Sequence, residues 1–244
     1  MVSEDTPALE RLLVVDQEGP TRINVISAPK LTVVGYLSDK YSELVIGSTP
    51  VQKMIPTSLT PKLRTVKVLA LESIGPNLGQ VVSFLRCFPC LEKLYIEIRL
   101  GPMVDNVIQY NNHVECLDLH LSEITLNSYR GTLPEIIFAR FFVLRARVLK
   151  EMRFALHLFR KNEWFVDQRR RLRQNGIGSK NAEFHFGTSD DRVIRSHRVN
   201  PTHDFSVADP FAKIVRLRNQ LRSGNISLNL SDIHVQWISA SVCS

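Results

Sequence analysis

The side chains able to do chemistry in this sequence are few, and the densest group is Cys87-Phe88-Pro89-Cys90 followed by His113 and Cys116. Two thiols at C-x-x-C spacing support redox exchange when a helix N-terminus stabilises the thiolate. The apolar run before Cys87 predicts a helix that ends there, so the pair falls at a helix C-terminus, where the dipole works against a thiolate. Taken together, C-x-x-C and H-x-x-C have the composition of a structural zinc site, which requires four ligands converging tetrahedrally. The repeat register aligns Cys90 with His113 but carries Cys116 onto a strand face beside the position of Lys93, so convergence is not expected and neither is a metal or any other cofactor. The seven histidines, His113, His120, His157, His185, His197, His203 and His234, form no HExxH, and the chain has no nucleophile elbow and no Gly-rich phosphate loop. No catalytic set assembles, and the chain reads as a non-enzyme. One run could still contact anions: Arg169-Arg170-Arg171-Leu172-Arg173. Trp164, Gln168 and Leu172 recur at i, i+4 and i+8, which makes the arginines the solvated side of a helix starting near Asn162. Aromatics interleaved for base stacking are missing from it.

These residues must be positioned by a repeating framework. Pro7-Ala8-Leu9-Glu10-Arg11-Leu12-Leu13-Val14 recurs as Pro89-Cys90-Leu91-Glu92-Lys93-Leu94-Tyr95-Ile96. Weaker copies begin at Pro29 and Pro61, and two copies without proline begin at Val114 and Leu149. L-x-x-L-x-L at such intervals is the mark of leucine-rich repeats. The first apolar residue enters the core ahead of a short parallel strand, and the fourth and sixth point inward from it because strand side chains alternate. Stacked strands then bury one column that no single repeat could bury alone. The expectation is a set of parallel strands centred near residues 12, 34, 66, 94, 117 and 152, in one sheet and in chain order. Return segments are expected as helices at Leu78–Cys87, capped by Asn77, and from Thr132-Leu133-Pro134-Glu135, which has capping-box form. Ile137, Phe141, Leu144 and Val148 are expected as the inward face of the second helix. Over Arg22–Leu31 the return path reads as an extended run and a turn.

Composition bounds what such a framework can do. The 244-residue chain is 44% hydrophobic and 23% charged, ordinary for a folded core. No run of about 18 apolar residues exists, so no transmembrane helix and no membrane association are expected. The acidic N-terminus lacks a signal-peptide core. Cytoplasmic and/or nuclear residence follows, with the four cysteines as free thiols. Charge is uneven: residues 1–139 hold 12 Lys/Arg and 15 Asp/Glu, whereas residues 140–222 hold 19 and 8. A basic second half admits nucleic acid as a partner, although solvated helix faces account for it more simply.

The run Arg22 to Leu31 resembles the repeat of plant F-box proteins, and Phe84-Leu85-Arg86-Cys87-Phe88-Pro89-Cys90-Leu91-Glu92-Lys93-Leu94 resembles their last regular repeat. Glu115 through Gly131, then Phe138–Leu144 and Ala146–Met152, are similar to the FBD domain that follows those repeats. Trp164 with Gln168-Arg169-Arg170, and the closing Ala182-Glu183-Phe184-His185-Phe186, extend that similarity. The resemblance implies an α/β, irregular leucine-rich-repeat solenoid with parallel strands on its concave face, continued by a C-terminal FBD domain. It divides the chain into a repeat region over 1–111, truncated at its N-terminus, an FBD domain over 112–187, and a partly disordered extension over 188–244. The tail after Phe211 matches nothing in the family. By resemblance the chain is the protein-recognition part of an F-box ubiquitin-ligase substrate receptor. No F-box precedes Pro7, so direct binding of the Skp-type adaptor is not expected. The outward strand positions, Lys67, Lys93, Tyr95, Glu97, Asp118, His120, Glu151 and Arg153, are the candidate partner-binding face. Their mixed charge around an aromatic suits an unidentified protein better than a duplex. The alternatives are a nucleic-acid-binding solenoid using the basic half and a non-functional truncated remnant.

Overall fold

The computed structural model describes residues 2–5, 8–13, 22–37, 43–46, 49–52, 55–56, 63–73, 78–98, 113–156, 160–174, 176–188 and 211. In chain order the elements of the first half are β1 (Val2–Asp5), β2 (Arg11–Leu13), β3 (Arg22–Ser27), β4 (Val33–Leu37), β5 (Glu43–Ile46), β6 (Thr49–Gln52), β7 (Ile55–Pro56), β8 (Val68–Ser73) and α1 (Leu78–Cys87). The second half adds β9 (Lys93–Ile98), α2 (Glu115–Leu119), β10 (Glu123–Tyr129), α3 (Leu133–Arg145), β11 (Glu151–Leu156), α4 (Asn162–Arg173) and β12 (Glu183–Thr188).

Seven of these strands make one wholly parallel sheet in chain order, β2-β4-β8-β9-β10-β11-β12. The return strands β1, β3 and β5 pair in parallel in a second sheet, which β6 and β7 continue antiparallel. The architecture is thus α/β in the manner of a leucine-rich-repeat solenoid, and the extended return path expected over Arg22–Leu31 is present as β3 and its following turn.

A backbone ladder fixes the repeat register. One carbonyl just ahead of each strand accepts two N–H groups from the next repeat: Glu10 from Thr32 and Val33, Thr32 from Lys67 and Val68, Lys67 from Glu92 and Lys93, Glu92 from Ser122 and Glu123, and Ser122 from Lys150 and Glu151. The residue before each rung is fully buried at Leu31, Val66, Leu91, Leu121 and Leu149. Inward strand positions follow as Leu69 and Leu71, Leu94 and Ile96, Ile124 and Leu126, and Met152 and Phe154, all in one core with the buried faces of the helices. Each such side chain contributes about 1.5–3 kcal/mol by leaving water.

Three expectations are corrected by this register. No strand centres on residue 117, because Glu115–Leu119 forms α2 and the strand comes later, from Leu121-x-x-Ile124-x-Leu126. The pattern L-x-x-L-x-L also satisfies one helical turn, so the segment offers two frames; α2 buries Cys116 and Leu117 but leaves Leu119 60% exposed. The strand placed near residue 66 begins at Val68, since the third repeat is framed by Val66-x-x-Leu69-x-Leu71 and not by Leu63. On α3 the buried face is Ile136, Phe138, Ala139, Phe142 and Val143, whereas Ile137 and Leu144 of the expected inward face are exposed. That helix is apolar nearly all round, so periodicity did not select a face.

Other elements agree with expectation. Helix α1 spans Leu78–Cys87 and buries Val81, Val82 and Leu85; Asn77, its expected cap, lies outside the described residues. At α3 the Glu135 carboxylate accepts the backbone N–H groups of Arg130 and Thr132, each at 3.0 Å, as the capping-box reading requires. Helix α4 starts at Asn162 and buries Gln168 and Leu172.

Candidate recognition face

With the helices packed on one face of the seven-stranded sheet, the other face presents the alternate strand positions in register. One row runs Arg11, Val33, Val68, Lys93, Glu123, Glu151 and Glu183. The next holds Leu13 and Gly35 at one side, then Ala70, Tyr95, Thr125, Arg153 and His185. This open face therefore divides into an apolar half and a charged half, with β9 at the border.

The apolar half is covered. Leu13, Val33, Val68, Ala70 and Tyr95 form a second cluster with Phe211, which is only 3% exposed. The Phe211 and Tyr95 rings lie 5.2 Å apart between centroids, tilted by 45°. Gly35 makes the room: a Cβ there would stand 2.6 Å from both Phe211 Cζ and Leu13 Cδ2, so a side chain at this position would exclude the ring. Val68-Leu69-Ala70-Leu71 is apolar without alternation, as a strand buried on both faces must be.

Polar contacts run along and between the strands of the charged half. Lys93 Nζ lies 3.3 Å from Glu123 Oε2. His185 Nε2 lies 3.5 Å from Glu151 Oε1 and 3.3 Å from Glu183 Oε2. Arg153 donates from Nε and Nη2 to the two Glu151 oxygens, and this pairing raises its pKa further above the usual guanidinium value. Glu97 accepts a hydrogen bond from Ser128 Oγ. Ser128 is the extra residue of a bulge in β10 and adopts a left-handed φ of 58°, which turns Tyr129 back into the core.

Of the eight expected face residues, Lys93, Tyr95, Glu97, Glu151 and Arg153 sit on strands of the open face. Lys67 belongs to the turn ahead of β8, where it pairs with Glu92 at 2.9 Å. Asp118 is on α2 and binds His113 Nε2 at 2.9 Å and Arg147 Nε at 3.1 Å, while His120 ends that helix. These two are therefore removed from the face, for the same frame reason that moved the fifth strand. Tyr95 is on the face but only 6% exposed beneath Phe211, so it is not an open anchor. Glu123, Asn127, Glu183 and His185 belong to the face and were missed; the Leu121 frame and the Ala182-x-Phe184-x-Phe186 pattern carry the signal that would have placed them.

Comparison with known families bears on both halves. Residues 1–96 match the family described as FBD-associated F-box protein At5g56370, LRR repeats, and residues 109–154 match the FBD family. The chain thus carries a region similar to those leucine-rich repeats and a region similar to the FBD domain. No curated protein and no solved structure matches it. Both matched regions are of types that serve as interaction modules in the F-box family and are typically non-catalytic. No helix among its described residues is long and apolar enough to cross a membrane.

The FBD-like motif residues meet in space. The Tyr129 hydroxyl donates to Gln168 Oε1 at 3.0 Å, and the Tyr129 ring lies 4.8 Å from Phe154 and 6.5 Å from Trp164. Burial, reinforced by the Glu135 charge, pushes the Tyr129 phenol well above its ordinary pKa. Phe186 stacks on Phe154 at 4.6 Å and receives the edge of Trp164 at 5.9 Å. This aromatic seam joins α4 to β10, β11 and β12.

Cys87 and Cys116 are placed for packing. Cys87 ends α1 and Cys116 is buried in α2, donating to Leu85 O at 3.7 Å. Burial raises their pKa values to about 11 and about 12 respectively. Among the described residues no group of three or more His, Cys, Asp or Glu is placed to hold a metal ion. Because the folded pKa exceeds the unfolded one, the thiols contribute stability up to about pH 9 that is lost as pH rises toward 11–12. At pH 8 both should therefore resist iodoacetamide until denaturant is added, read by mass spectrometry of alkylated peptides. Modification of Cys116 in the native protein would contradict its burial.

Proposed function

We propose that the chain is a non-enzymatic recognition module that binds a protein partner through the charged half of its open sheet face, as the substrate-binding part of a ubiquitin-ligase receptor. The observation that carries this is the in-register row Lys93, Glu123, Glu151 and Glu183 with Arg153 and His185 beside it, on four adjacent parallel strands that stacked repeats supply. Mixed charge of this kind sets partner choice by complementarity. A continuous nucleic-acid footprint would want near-uniform positive charge. On this reading the FBD unit extends over 112–187, since α4 and β12 complete the seam that β10 and β11 begin. The plant F-box resemblance supports a cytoplasmic or nuclear setting.

A charge-swap separates recognition from folding. Lys93→Glu with Glu123→Lys keeps the cross-strand ion pair and reverses what the face presents. Immobilised wild-type and swapped proteins would be incubated with plant extract, and bound proteins quantified by mass spectrometry. A partner retained by wild type should bind the swap at least about tenfold more weakly, because like charges across an interface cost several kcal/mol. Equal retention by both proteins, with circular dichroism unchanged, would remove the open face from the recognition surface.

A further inference from the structure

Helix α3 carries a second apolar stripe that the core does not use. Leu133, Ile137 and Leu144 stand along one side of it, with Leu133 65% and Ile137 47% exposed. Beside that stripe runs the C-terminal half of α4, and between the two helices lies a groove of about 550 Å³. Its apolar wall is Leu133, Ile136 and Ile137; the other lining side chains are Arg140, Arg170, Arg171, Arg173 and Gln174. Four guanidinium groups line the groove and no carboxylate does. Asp167 pairs with Arg170 and Arg171 at 2.6 Å each, and those arginines hold its carboxyl below the usual range, but it stands outside the lining. Arg140 donates Nη2 to Gln174 O at 2.8 Å, and its buried Nε has no acceptor. A buried donor left unpaired is costly, and a charged one more so.

We propose that this groove is a docking site for an acidic amphipathic peptide segment of a partner protein, whose apolar side chains cover Leu133 and Ile137 while its carboxylates meet the four arginines. An apolar wall beside fork-shaped donors matches that ligand on both counts. Nucleic acid fits it less well, because no aromatic ring lines the groove for bases to stack on. The site is on the helical layer and is independent of the open sheet face, so either can fail without the other.

Fluorescence anisotropy of the full chain tests it with three labelled probes: a synthetic helical peptide with leucine at i, i+3, i+4 and i+7 and glutamate on the remaining face, the same peptide with lysine for glutamate, and a single-stranded oligonucleotide of equal charge. Ile137→Ser and Arg171→Glu are exposed changes that leave the core intact. The acidic peptide should bind, should weaken about tenfold with either variant, in the range of interface anchors, and should weaken as salt rises from about 50 to about 300 mM. The Lys93→Glu/Glu123→Lys protein should bind it like wild type. Binding indifferent to Ile137→Ser, equal binding of the lysine peptide, or tighter binding of the oligonucleotide would each overturn the proposal.

Discussion

Replacing Phe154 with alanine should lower the unfolding free energy by about 3–5 kcal/mol, the range for removing a fully buried aromatic side chain. Phe154 is 1% exposed and lies at the centre of the aromatic seam. It stacks on Phe186 at 4.6 Å, meets Tyr129 at 4.8 Å and takes the edge of Phe184 at 6.3 Å. Three ring contacts vanish together, each worth about 0.5–1.5 kcal/mol beyond the area buried. Strands β10, β11 and β12 are tied through this one residue, so the cavity has no single neighbour able to collapse into it. Urea unfolding followed by circular dichroism would show the midpoint falling at unchanged slope. A loss under about 1 kcal/mol would mean that the seam is not packed as described.

Gly131→Ala should cost about 2–4 kcal/mol, from two sources that add. Gly131 has φ +76°, a conformation that side chains adopt at about 1–3 kcal/mol. Its Cβ would also collide with Trp164 Cζ2 and stand 2.9 Å from Gln168 Oε1. The glutamine end can swing away, although it would then release the Tyr129 hydroxyl. The indole cannot move, because Phe165 and Phe186 hold it at 5.4 and 5.9 Å. Trp164→Phe removes the colliding atom. The double variant should therefore lose less than the sum of the singles, with a coupling of about 1 kcal/mol, the size found for residues in contact. Strict additivity would show that only backbone strain acts at Gly131.

These two residues also show what the sequence makes legible. Tyr129-Arg130-Gly131 and Trp164 with Gln168 stand out as motif residues, and their meeting in space accounts for their types: a glycine where no Cβ fits, and a glutamine where a buried phenol needs an acceptor. The parallel sheet was legible because each repeat needs its own inward pair, such as Leu94 with Ile96. Frames were less so. Leu63-x-x-Val66-x-Val68 and Val66-x-x-Leu69-x-Leu71 both satisfy the repeat pattern, and only the ladder of shared carbonyls, with Lys67 equivalent to Glu92, decides between them. The same ambiguity put Asp118 and His120 on the wrong element. Helix α3 misled for a different reason: with apolar residues on both sides, its core face is chosen by the sheet beneath it. Phe211 lay beyond reach, because no periodicity connects a residue of the basic tail to Tyr95, more than a hundred positions earlier.

The aromatic socket built by Gly35, Leu13 and Tyr95 has a competitor attached to it by a covalent chain. A ligand for that socket meets Phe211 as a group of the same chain, whose effective concentration is set by the polypeptide and not by the solution. Its apparent dissociation constant is the intrinsic one divided by the fraction of molecules in which Phe211 has left. That fraction is a property of the polypeptide and does not change with how much protein is present. Dilution cannot empty the socket and crowding with more copies cannot fill it further, so any ligand for the apolar half of the sheet would have to displace an occupant that never diffuses away.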